Sequence, residues 1–158
     1  MEILQTWERF KKMIGENRFN IGKGSNSVDI PKELLYILND SNGQKTNYKP
    51  IFIEFKNNIF GMDIFQYNFI SYEDILNLKE EMSGYTKEDN LFPFAAINRQ
   101  IGDKGTVVFA ISNFDKKIYK IQFYSWDRFG SHIEFKEELF ANSLNEFIEN
   151  QILWHNLL

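Results

Sequence analysis

The sequence predicts an α+β fold, a single domain in which a twisted, mainly antiparallel sheet is packed by helices. Three observations predict it. Apolar residues recur at helical spacing near both ends of the chain and again after Ser71. Between them, segments alternate apolar and polar at period two and are bounded by Gly, Asn and Asp. The aromatic share is 16%, with Phe 16 among 158 residues, so rings must fill much of the core. A chain of this length buries such a core without a metal or a disulfide.

In chain order, Glu2 to Ile14 reads as an amphipathic helix ended by Gly15, with Ile3, Trp7, Phe10 and Ile14 on one face. Trp7 is expected in the core. Glu16 to Val28 is polar and glycine-bearing and reads as a loop. Asp29 to Gly43, DIPKELLYILNDSNG, holds a start, a buried stripe and a stop. Pro31 suits a first helical turn, because its missing N–H would be unpaired there. Leu34, Leu35, Ile37 and Leu38 form the stripe. Asn39 to Asn42 favour a turn, and Gly43 can take positive φ past the helix end.

Pro50 to Gln66 reads as a hairpin turning at Asn57-Asn58, with a bulge or close contact expected at Gly61. Ser71 is expected to cap a helix whose buried face is Ile75, Leu78 and Met82 and whose end is Gly84. Leu91–Ile97, Thr106–Ile111 and Ile118–Tyr124 then form a meander, turning at Gly102–Gly105 and Asn113–Lys116. The last of these strands should have one apolar face and one partly wet face carrying Lys120 and Gln122. Trp126 to Glu134 reads as irregular, and Phe135 to Phe140 has no decisive pattern. Ser143-Leu144-Asn145-Glu146 is a capping box opening a final helix, with Leu144, Phe147, Ile148 and Ile152 inward.

Composition excludes several functions. Cys is absent, so there are no disulfides, thiolate metal sites or cysteine nucleophiles, which suits a reducing compartment. Met1-Glu2 opens without the basic and apolar regions of a secretory leader, and no apolar run approaches the roughly 20 residues of a membrane helix. A cytoplasmic protein without membrane contact is expected. The net charge of −4 is concentrated in Ser71 to Asn90, where six acidic residues face Lys79 and Lys87, and the remainder carries 16 charges of each sign. That distribution speaks against nucleic-acid binding, which needs a basic face.

No pattern for catalysis is visible. Gly22-Lys23-Gly24-Ser25 lacks the first glycine of a phosphate loop, because Asn17 occupies that position. His132 and His155 have no ligand partner at metal-binding spacing, and no serine lies in a nucleophile context. Glu80-Glu81 and Glu137-Glu138 are sequence neighbours, which on a helix diverge rather than share a site. No enzyme activity, metal or cofactor is therefore expected.

The helix opened by Ile30-Pro31 and closed by Asn42-Gly43, the strand Leu91-Phe92-Pro93-Phe94-Ala95, the Gly102-Asp103 turn and the closing Ser143-Leu144-Asn145-Glu146-Phe147-Ile148 helix occur in an order that resembles the SUKH superfamily. This family includes the Smi/Knr-like yeast cell-wall-assembly regulators and bacterial toxin-immunity proteins. The chain departs from it where a longer helix precedes the Pro step in many relatives. The resemblance implies a protein-binding scaffold without catalytic residues: an immunity protein neutralising a toxin domain, or alternatively a regulatory or scaffold module for a partner of the same cell. Glu80, Glu81, Glu88 and Asp89 are the expected contacts to a basic protein partner, because carboxylates can fill a cleft built for phosphates. Trp126, Arg128 and Phe129 are the second candidates, as an aromatic and Arg cluster of the kind that anchors interfaces.

Overall fold

A computed structural model describes residues 2–22, 29–45, 52–58, 61–97, 106–125 and 132–157; for 52–58, 61–66, 125, 154, 155 and 157 it is the backbone that is described. Among the described residues four α-helices are present, α1 (Glu2–Ile14), α2 (Lys32–Asp40), α3 (Tyr72–Thr86) and α4 (Leu144–Leu157). They pack with β1 (Phe19–Ile21), β2 (Ser41–Gln44), β3 (Phe52–Asn58), β4 (Gly61–Phe69), β5 (Leu91–Ala96), β6 (Thr106–Ser112), β7 (Ile118–Ser125) and β8 (Ile133–Ala141). β1 and β2 form a small antiparallel pair, and β3 to β8 form a six-stranded sheet in sequence order. Every neighbouring pair in it is antiparallel. The fold is α+β, as its alternation of periods predicts.

The core is aromatic. Trp7, 1% exposed, lies with its ring centroid 5.2 Å from those of Phe10, Phe19 and Phe69. Farther along, Phe147 of α4 meets Phe94 edge-on at 5.1 Å and Phe109 at 5.3 Å, so the closing helix seals the sheet face below it. The α2 stripe, Leu34, Ile37 and Leu38, is buried. Ser71 caps α3 by accepting the Asp74 N–H, and Ser143 caps α4 by accepting the Glu146 N–H at 3.0 Å. The Glu146 carboxylate returns a bond to the backbone N–H of Asn142, one residue before the cap.

Several local expectations are corrected. Residues 16–28 are not one loop, because Glu16–Arg18 make a 3-10 turn and Phe19–Ile21 form β1. Asn39 and Asp40 remain helical and Ser41–Gln44 form β2, so α2 exits into a strand rather than a turn. Pro31 caps α2 with extended ψ of 139° instead of occupying its first turn. Asn57 and Asn58 pair with Met62 and Gly61 in an unbroken register, so they belong to β3 rather than to a turn and no bulge lies at Gly61. α3 runs through Gly84 to Thr86 and ends where Lys87 turns left-handed at φ 61°. Phe135–Phe140 and the end of the expected irregular stretch, Ile133 and Glu134, belong to β8. Lys120 is 4% exposed rather than wet, held 3.5 Å from Glu138 on the opposite strand. The Gly102–Gly105 turn lies outside the described residues.

Candidate partner-binding face

Two polar regions stand out, and their geometry separates folding chemistry from surface chemistry. The first is the junction of α1, α2 and β2. Asp40 accepts bonds from the Trp7 indole N–H at 3.0 Å, the Ser41 hydroxyl at 2.7 Å and the Lys11 ammonium at 2.7 Å. Partial burial opposes ionisation of Asp40, yet those three donors hold its carboxyl below the ordinary value. Burial likewise opposes the Lys11 charge, and Asp40 and Glu8 overcome it, raising its pKa. Asn42 Oδ1 accepts the Tyr72 N–H at 2.7 Å at the start of α3, and Gln44 Oε1 accepts the Phe69 N–H at 2.7 Å. Gly43 has φ of +76°, and a Cβ there would lie 2.6 Å from the Ser71 nitrogen. Gly22 packs just as closely, since a Cβ on it would sit 2.0 Å from the Asn39 carbonyl oxygen. The Asn42-Gly43 step thus joins β2 to the α3 cap, and Gly22 closes β1 on the end of α2. These are folding residues.

The second region lies at the C-terminal end of α3 and across β7 and β8. Lys87 turns the chain so that Glu88 leaves the helix and approaches β7. The β6–β7 turn is fixed by Ser112, whose Oγ accepts the Phe114 N–H, and by Asp115, which accepts the Lys117 N–H at 2.9 Å. Asp115 also accepts the Tyr119 hydroxyl at 2.5 Å, and this bond, with burial and the nearby Asp115, Glu137 and Glu88 charges, pushes the phenol up to about 12. Glu137 faces the same group from β8. Burial, followed by the Glu88 and Asp115 charges, raises its carboxyl above the ordinary value. Three acidic side chains from three separate elements therefore share one field around Tyr119. Among the described residues, no three His, Asp or Glu side chains are grouped closely enough to hold a metal ion.

The sequence-predicted contacts divide between these surroundings. Glu88 belongs to the acidic cluster. Asp89 lines a cleft of about 490 Å³ between α3, the start of β5 and the β6–β7 turn, where the Lys79 ammonium sits 5.0 Å from the Phe92 ring centroid. Glu80 and Glu81 are exposed but about 100° apart around α3. Glu80 lies away from the buried Ile75, Leu78 and Met82 stripe, and Glu81 lies beside Tyr85, whose ring meets Phe123 of β7. Trp126, Arg128 and Phe129 lie outside the described residues. Asp115 and Glu137 are the residues that sequence reasoning missed. Asp115 reads as turn chemistry, and Glu137 sits in a segment without a clear period, so their meeting depends on strand pairing.

No protein-family model matches this chain, and no curated protein and no solved structure matches it either. No helix among the described residues is long and apolar enough to cross a membrane.

Proposed function

We propose that this chain is an SUKH-like immunity protein, a cytoplasmic, non-catalytic binder that receives a basic toxin domain on its acidic face and blocks it. One observation carries the reading: Asp115 holds the Tyr119 hydroxyl, and the Glu88 and Glu137 charges act on that group from two further segments, although Glu137 is disfavoured as an anion there. Folding alone favours dispersing like charges. A basic partner reverses the sign of that energy, and the exposed field accelerates its approach. The order of the elements, with the Ile30-Pro31 helix start and the Asn42-Gly43 junction, supports the family resemblance.

The experiment is to search the genes beside this one for a toxin domain, whose absence would count against immunity, and to measure protection of growth when that domain is expressed with the wild-type chain or with Glu88→Lys/Asp89→Lys. Both positions are exposed, so circular dichroism and urea unfolding should match the wild type. Wild-type rescue that the double variant loses is the expected result. Equal protection by both would move the contact off this face. No protection by either, together with a growth defect on deleting the gene alone, would replace immunity by a regulatory or scaffold role in the same cell.

A further inference from the structure

The cleft of about 490 Å³ between α3, the start of β5 and the β6–β7 turn is of the size that small molecules occupy. One wall is held by hydrogen bonds. Asn113 donates its N–H to the Asn90 carbonyl at 2.7 Å, and Asn90 Nδ2 donates to Ser112 Oγ at 3.2 Å. The apolar lining includes Phe92, 3% exposed, and Leu76, 40% exposed. Lys79 and Asp89 bring opposite charges to the same space. The Lys79 ammonium lies 5.0 Å from the Phe92 ring centroid, where the ring face favours a cation. It makes no ion pair with Asp89 or with any other described carboxylate, and Asp89 has no cationic partner among the described residues. Asp29 adds a second exposed carboxylate to the lining.

An ammonium and a carboxylate that line one cleft without meeting each other suit a ligand that carries both charges. A simple anion would gain Lys79 but face the carboxylates, and a simple cation would gain Asp89 but face Lys79. A zwitterion satisfies both at once. We propose that the cleft binds a small zwitterion of the amino-acid class with an apolar side chain. Its carboxylate pairs with Lys79, its ammonium pairs with Asp89, and its side chain packs on Leu76 and Phe92. Asp89 is assigned ahead of Asp29 because the Asn90 bonds fix the backbone beside it. This site stands apart from the immunity reading, which needs a protein partner rather than a small ligand.

The probe is L-leucine, titrated to about 20 mM into the isotope-labelled full chain. L-Leucinamide, which lacks the anion, and N-acetyl-L-leucine, which lacks the cation, are the comparisons, at about pH 6 where free amino groups are charged. Backbone amides of α3, of Asp89 to Phe92 and of Ser112 to Asp115 should shift saturably. Leucine should bind roughly fivefold more tightly than either derivative. Lys79→Met should abolish the preference over leucinamide and keep the preference over N-acetyl-leucine, and Asp89→Asn should do the reverse. Equal binding of the three ligands overturns the proposal, as do shifts confined to other elements or no shift at all. A variant that lowers all three affinities alike overturns it too. The wild-type titrations decide even where a variant fails to fold. No toxin enters these measurements, so a chain that ignores leucine yet protects growth refutes this site alone. One that binds leucine but fails to protect refutes the immunity reading alone.

Discussion

The junction around Asp40 and the face around Glu137 use the same side-chain chemistry for opposite ends. At the junction, Asp40 meets the Trp7 N–H, the Ser41 hydroxyl and the Lys11 ammonium, so its ionised form is favoured despite partial burial. At the face, burial and then the Glu88 and Asp115 charges act on Glu137, so its ionised form is disfavoured. A carboxylate surrounded by donors helps hold the fold together. One acted on by other carboxylates does not.

The largest expected effect breaks the comparison on the junction side. Leu38 is 3% exposed on α2, and Leu38→Ala should cost about 2–5 kcal/mol in urea unfolding. A loss below roughly 0.5 kcal/mol would mean that α2 is not central to the core. Gly43→Ala comes next. It demands positive φ of a residue with a Cβ and presses that Cβ against the Ser71 nitrogen, so a loss of about 1–3 kcal/mol is expected. If thermal and urea unfolding leave the Gly43 variant unchanged, the close approach of β2 to the α3 cap is wrong.

The smallest effect is the sharpest, because its sign differs between the two regions. The depressed carboxyl of Asp40 contributes stability that is present above its unfolded pKa and is lost as pH falls through the folded value. The raised carboxyl of Glu137 works the other way, since its contribution is fully present below the unfolded pKa and is lost as pH rises through the folded value. Asp40→Asn should therefore lower stability at neutral pH and weaken its fall on acidification. Glu137→Gln should leave stability at neutral pH unchanged or slightly higher, by less than about 0.5 kcal/mol. Urea midpoints from pH 3 to pH 7 would test both, and parallel pH profiles for the two variants would remove the distinction between the regions.

Local signals were legible where one stretch of chain determines its own geometry. The α1 face of Ile3, Trp7, Phe10 and Ile14, the Ser71 and Ser143 caps and the central meander all follow from period, capping and turn chemistry. Reading failed where a distant element decides. Ser41–Gln44 looks like turn sequence but becomes a strand because β1 lies alongside it, and Lys120 is drawn inside by Glu138 across the ladder.

The sequence by itself determined the α+β class, the aromatic core and the concentration of net negative charge in Ser71 to Asn90. These follow from near-neighbour chemistry and composition, which need no knowledge of the topology. Only the tertiary structure decided that the Glu88 and Asp115 charges act on Glu137 and that Asn42-Gly43 serves the fold. Each of these depends on which strand lies beside which. Strand pairing sets distant residues opposite one another, as it does for Tyr119 and Leu139, and no local period encodes that choice.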